Sequence, residues 1–247
     1  MPNLKLEIEY DGTNYSGWQV QHPGKNQKTI QNIIQKALGQ ILQEPVKLIA
    51  AGRTDAGVHA FSQVANFYTH SNIVLDKLRM GLNALLPADI VVKKIKKVLP
   101  DFHSRFQAKS KLYRYTILNR PYPAVFLRDT ACHYYLPLDV KLMQQEARVI
   151  LGRHNFRAFA ASASRKKNPV KIIKAIKVAR SGDIIRIEIE ADGFLYNMVR
   201  NIAGTLIEIG RGRFPKGSMR RILSKCDRRL AGPTAPAKGL CLLAVKY

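Results

Sequence analysis

Apolar and charged side chains alternate from Leu4 to Tyr10, with Leu4, Leu6, Ile8 and Tyr10 on one face and Lys5, Glu7 and Glu9 on the other. Period-two alternation predicts a strand with one buried face. The turn residues of Asp11–Gln19 break it, ending at the only tryptophan, Trp18. From Thr29 to Leu42 the apolar positions Ile30, Ile33, Ile34, Ala37, Leu38, Ile41 and Leu42 recur at helical spacing, with Thr29 placed to cap the helix and Pro45 to close it. A strand over Val46–Ala51, another near Gln63–Thr69, a helix over Val74–Leu86 stopped by Pro87, and a strand over Ile90–Val98 follow. Strand, helix, strand, strand, helix, strand is the order of a ferredoxin-like unit.

The alternation stops at Leu99–Lys109, which sets a boundary between residues 1–104 and 105–247. The second half repeats the plan less clearly. Lys111–Leu118 reads as a strand with Tyr113 and Tyr115 on one face, and Asn119–Tyr135 as an aromatic loop. Val140–Leu151 reads as an amphipathic helix, Ile172–Arg180 and Ile184–Ala191 as strands, Leu195–Ile209 as a long helix, and Leu240–Lys246 as a last strand. The expected fold is α+β: two ferredoxin-like or RRM-like α/β units joined into one extended, mostly antiparallel sheet, with helices on one face and a central active-site cleft.

Charge narrows the function. Across 247 residues, 41 Lys and Arg stand against 17 Asp and Glu, a formal charge of +24. So strong a field makes a polyanion the natural partner. Three well-separated cysteines form no CxxC, so neither a disulfide framework nor a cysteine zinc site is expected. His22, His59, His70, His103, His133 and His154 show no paired ligand spacing, and no metal is expected. GxxxxGK[ST] and GxGxxG are absent, which argues against ATP and dinucleotide cofactors. The first residues lack the apolar core of a signal peptide, and no apolar run approaches the roughly 18–20 residues that span a bilayer. A cytoplasmic protein that binds nucleic acid is the expectation. Basic clusters at Lys93–Lys97, Arg165-Lys166-Lys167 and Arg211–Arg229 would grip phosphates without reading sequence.

The candidate chemistry lies at Ala51-Gly52-Arg53-Thr54-Asp55-Ala56-Gly57-Val58-His59-Ala60, a glycine-punctuated loop after a predicted strand. Gly, Asp and Thr are also ordinary turn residues. A carboxylate among so many cations is nevertheless a candidate for catalysis, and it needs a counter-charge to stay ionised in a partly dry site. Arg200, four residues after Tyr196 and on the same face of the expected helix, is a candidate for that role and also reads as a solvated helix charge. Tyr113 reads as core or as a stacking platform.

These residues resemble the TruA-type tRNA pseudouridine synthases. The loop at Asp55 is similar to that family's catalytic-aspartate motif. Tyr10–Gln19, Asp101–Phe106, Lys111–Tyr115, Phe194–Ile202 and Ala235–Leu240 are similar to further family motifs, in family order. The resemblance implies conversion of uridine to pseudouridine at positions 38–40 in the anticodon arm of tRNA, without cofactor or metal, by a homodimer. It implies that Asp55 acts on the sugar of a flipped uridine, that Arg53 fills the vacated stack, and that Arg200 pairs with Asp55. Tyr113 would stack on uracil, and Leu240 would line an apolar pocket. The competing reading is a noncatalytic RNA-binding protein or RNA chaperone on the same scaffold, in which Asp55 caps a turn.

Overall fold

A computed structural model describes residues 1–20, 28–161 and 168–247; His22 and the cluster Arg165-Lys166-Lys167 lie outside the described residues. The chain is mixed α/β and forms two compact units, Met1–Lys109 with Leu242–Tyr247, and Ser110–Cys241.

The first unit runs β1 (Asn3–Tyr10), α1 (Ile30–Leu42), β2 (Ile49–Ala50), β3 (His59–Tyr68), α2 (Leu75–Leu85) and β4 (Ile90–Val98). Its strands lie in the order β4-β1-β3, with β2 also paired to β3, and each of these pairs is antiparallel. The alternation in β1 has its expected cause: Leu4, Leu6, Ile8 and Tyr10 are buried, while Lys5, Glu7 and Glu9 are partly exposed. Thr29 caps α1 by accepting the Asn32 N–H. Ile30, Ile34, Ala37 and Leu38 form its buried stripe.

The strand expected over Val46–Ala51 is reduced to Ile49–Ala50, because α1 takes the ladder groups of Leu48. The Gln35 side chain accepts the Leu48 N–H at 3.0 Å, and the Gln31 amide donates to its carbonyl at 3.1 Å. Conversely β3 begins at His59, ahead of the predicted Gln63, where Ala60 pairs with Tyr10. The last residues of the chain belong here: Lys109 N–H donates to the Lys246 carbonyl, and the Tyr247 hydroxyl to that of Ser104.

The second unit contains β5 (Ser110–Asn119), β6 (Cys132–Tyr134), α3 (Val140–Arg148), β7 (Gly152–Asn155), β8 (Val170–Ser181), β9 (Ile184–Ala191), α4 (Met198–Gly210), α5 (Ser218–Lys225) and the start of β10 (Leu240–Lys246). The order β5-β9-β8-β7 is antiparallel, and β6 joins β5 in parallel. Apart from the inserted β6 and β7, the order β5, α3, β8, β9, α4 repeats the strand-helix-strand-strand-helix of the first unit, and the neighbours β5-β9-β8 match β1-β3-β2.

Twelve of the thirteen residues of α4 are buried, and Arg200 is the exception. This helix starts at Met198 rather than Leu195 because Asn197 takes a left-handed conformation, φ 61°. Tyr196 therefore precedes the helix and does not share a helical face with Arg200.

Three elements escape the sequence pattern. β6 is too short to show a period, β7 is Gly-Arg-His-Asn with no apolar alternation, and α5 hides Met219, Ile222 and Leu223 among basic residues. The start of α5 is satisfied from α3: the buried Glu146 carboxylate accepts the N–H groups of Gly217 at 2.7 Å and Met219 at 2.9 Å. Hydrogen bonds to a charged group contribute about 1.5–3 kcal/mol. Glu146→Ala is expected to lower the melting temperature by roughly 3–10 °C, at about 2–4 °C per kcal/mol for a chain of this size. A melting curve superposable on wild type would show that the cap contributes nothing.

Candidate active site

Arg53 and Asp55 belong to the first unit, and Tyr113, Arg200 and Leu240 to the second. In the first unit the loop from Ala51 to Val58 joins β2 to β3. Its entry is fixed by Ala51 N–H donating to Val64 at 2.8 Å, and by the buried Gln63 amide donating to the Gly52 carbonyl at 2.9 Å. Along the loop, Thr54 is buried, Asp55 half-buried and Arg53 exposed. The carbonyl of Asp55 accepts the Val58 N–H, closing a turn.

The Asp11–Trp18 segment, with Tyr10 at the end of β1, packs against this loop from behind. The Tyr10 hydroxyl meets that of Thr54 at 2.7 Å, Trp18 N–H donates to the Thr54 carbonyl, and Gly57 N–H donates to the Tyr15 carbonyl. At the loop's end, the Nδ1 of buried His59 accepts the Gly12 N–H at 3.1 Å, and Asp11 Oδ1 lies 3.0 Å from the same ring nitrogen. Burial pushes the Asp11 carboxyl up. The Thr13 hydroxyl and amide, with His59 beside it, outweigh burial and hold it below the usual value. Tyr10, Gly12, Tyr15 and Trp18 thus hold the loop that carries Asp55 by hydrogen bonds.

In the second unit Tyr113 stands on β5, 7% exposed, with its ring edge-on to Phe194 at 5.1 Å. Leu240 is buried at the head of β10. Arg200 lies in the first turn of α4, the end of a helix dipole that disfavours a cation. Polar partners hold it there. Its Nε donates to the Ala235 carbonyl at 2.8 Å, its Nη1 to Asn197 Oδ1 at 3.2 Å, and its own carbonyl accepts the Ala235 N–H. The segment beginning at Ala235 also bonds to β5, for the Tyr115 hydroxyl donates to the Pro236 carbonyl at 2.8 Å. Ala235–Leu240 therefore ties the Arg200 helix to the tyrosine strand within one unit. Among the described residues no group of three His, Cys, Asp or Glu could hold a metal ion, and no helix is long and apolar enough to cross a membrane.

Sequence reasoning missed the partners behind these residues. Thr54 looks like an ordinary turn residue until its contact with Tyr10, 44 positions away, is known. Arg228 looks like one more phosphate-gripping cation, yet its guanidinium is turned inward. It donates to the Ala231 and Gly232 carbonyls, Asn201 Oδ1 and the Thr234 hydroxyl. Arg213, Lys216, Arg220, Arg221 and Lys225 in the same run are exposed. Replacing Arg220 and Arg221 by Gln is therefore expected to flatten the dependence of log Kd for RNA on log salt by about one for each phosphate no longer gripped. Arg228→Met is expected to leave that slope unchanged and to lower the melting temperature. Equal slopes for all three proteins would remove the cluster from the RNA interface.

A family model described as tRNA pseudouridine synthase matches residues 7–107 and 147–247. The tRNA pseudouridine synthase A of Acetivibrio thermocellus is 48% identical over 247 residues, and that of Ruminiclostridium cellulolyticum 46% identical over 248; each alignment covers 100% of both chains. That of Moorella thermoacetica is 45% identical, again over the whole of both chains. A solved Cbf5-Nop10-Gar1 complex aligns with 97% of this chain and 58% of its own, at 14% identity and a TM-score of 0.37, too slight a likeness to add to these matches. The chain belongs to the tRNA pseudouridine synthase family.

Proposed function

We propose that this chain isomerises uridine to pseudouridine at positions 38–40 in the anticodon arm of tRNA, as a cytoplasmic homodimer, with Asp55 as the catalytic carboxylate. The reading rests on one arrangement above all: a half-buried aspartate in a loop pinned on both sides by buried residues, Thr54 and His59. Membership of an enzyme family along the full chain supports the synthase over an RNA chaperone.

The reaction breaks N1–C1′, turns the detached uracil, and joins C5 to C1′, with the C5 proton leaving and N1 regaining one. A carboxylate serves either by attacking C1′ or by abstracting the proton at C2′. The uridine must leave the stack to reach it. Exposed Arg53 is suited to fill the space that the base vacates. The roles that the resemblance implies are a stacking ring for Tyr113, an apolar wall for Leu240 and a counter-charge to Asp55 for Arg200. Tritium at C5 of tRNA uridine reports the reaction, because the label is lost only when C5 becomes the glycosidic carbon. Release to solvent by the purified chain is expected, whereas tRNA that is bound without release would favour the chaperone.

A further inference from the structure

The motif Tyr10–Gln19 supplies none of the groups assigned to the chemistry above, yet it holds the residue before the catalytic carboxylate from two directions. Thr54 is fixed through its backbone by the Trp18 N–H at 3.1 Å, and through its side chain by the Tyr10 hydroxyl at 2.7 Å. Both ends of the hydroxyl pair are buried, Tyr10 at 3% and Thr54 at 7% exposure. Tyr10 is itself anchored as the last residue of β1, paired with Ala60 on β3 and Ile90 on β4, with its ring 5.9 Å from that of Trp18. The backbone of Gly17 passes so close that a Cβ there would lie 2.6 Å from the Thr54 carbonyl oxygen and 3.0 Å from the Asp55 carbonyl carbon; its φ of +88° also suits only glycine.

Packing alone would not require a hydroxyl at Thr54, since valine fills the same volume. Buried hydroxyls are retained where their hydrogen bond fixes a geometry. We infer that the Tyr10–Thr54 hydroxyl pair is a positioning device that sets the angle at which Asp55 meets the sugar of the substrate. It couples the end of β1 directly to the residue whose peptide carries the carboxylate. The inference rests on the assignment of Asp55 to catalysis. A carboxylate displaced by about 1 Å costs on the order of 10²-fold in rate, while RNA held elsewhere on the surface binds as before.

The test is a double-mutant cycle on tritium release with unmodified tRNA, measured well below the melting temperature of every variant. Tyr10→Phe and Thr54→Val each remove one hydroxyl at constant shape. Each is expected to lower kcat by about ten- to a hundredfold with KM for tRNA within about twofold, the division expected when an interaction made in the transition state is removed. The double variant should fall no further than the worse single one, because the two hydroxyls act as one unit. Thr54→Ser keeps the hydroxyl and should stay within about threefold of wild type, as a rescue by the conservative change. Losses that multiply, a kcat unchanged by either single variant, a Thr54→Ser loss equal to that of Thr54→Val, or an effect confined to KM would each overturn the positioning role. Absence of release by the wild-type chain would overturn the reading of function itself. Wild-type release that both single variants keep would overturn only the role of the pair.

Discussion

Asp55→Asn is expected to reduce kcat by about 10³-fold or more while the Kd for tRNA stays within about threefold, since a positioned acid or base alone contributes about 10²–10⁴-fold and a nucleophile more. The substitution keeps the shape of the side chain and removes its charge. The loop keeps anchors that the substitution does not touch: the backbones of Ala51, Gly52 and Gly57, both ends of Thr54, and the His59 ring. The Asp55 carbonyl that closes the turn to Val58 is also untouched. An amide can neither attack C1′ nor abstract a proton from C2′, so both chemical routes end together. Filter binding and single-turnover tritium release, run on the same preparation, separate the two effects. Full release by Asp55→Asn would move the catalytic carboxylate elsewhere in the chain.

Gly204→Ala is expected to be the most damaging single-methyl change in the second unit. A Cβ at this point of α4 would sit 1.8 Å from the Pro233 carbonyl oxygen. The obstacle is backbone, so no side chain can swing aside. The strap that would have to move is bonded at each step to α4: Gly232 N–H to the Thr205 hydroxyl at 2.9 Å, the Thr234 hydroxyl to Asn201 Oδ1 at 2.6 Å, and Ala235 to Arg200. Overpacking of this kind costs about 1–3 kcal/mol and sometimes more. At about 2–4 °C per kcal/mol the melting temperature should fall by roughly 2–12 °C. Ala235 holds the Arg200 guanidinium, so under the role proposed for Arg200 activity should fall beyond what the loss of folded protein explains. A melting temperature within about 1 °C of wild type would contradict the close approach of the strap to α4.

Elements with one buried face were legible in the sequence. β1, α1, β4, β9 and β10 lie close to where periodicity predicts, because alternation or helical spacing is what burial of one face produces. Legibility failed where distant groups decide the local structure. β2 is short because the glutamines of α1 take the Leu48 backbone, and α4 starts late because Asn197 turns left-handed. α5 depends on a carboxylate from α3 that no local window contains.

The candidate site divides in the same way. Glycines and charges around Asp55 single out a candidate loop, and the roles proposed for Arg53, Tyr113, Arg200 and Leu240 come from the resemblance. The sequence does not reveal that Tyr10 reaches Thr54, or that Arg228 has left the basic surface to hold the strap beside Arg200.

The most direct test of the central claim is to locate the product in the RNA. An unmodified tRNA transcript with uridine at positions 38–40 is incubated with the wild-type chain, treated with carbodiimide and alkali, and read by primer extension. The account predicts new stops that report pseudouridine in that window, absent from untreated RNA and from RNA incubated with Asp55→Asn. A transcript bound by the protein and released without any such stop would contradict it.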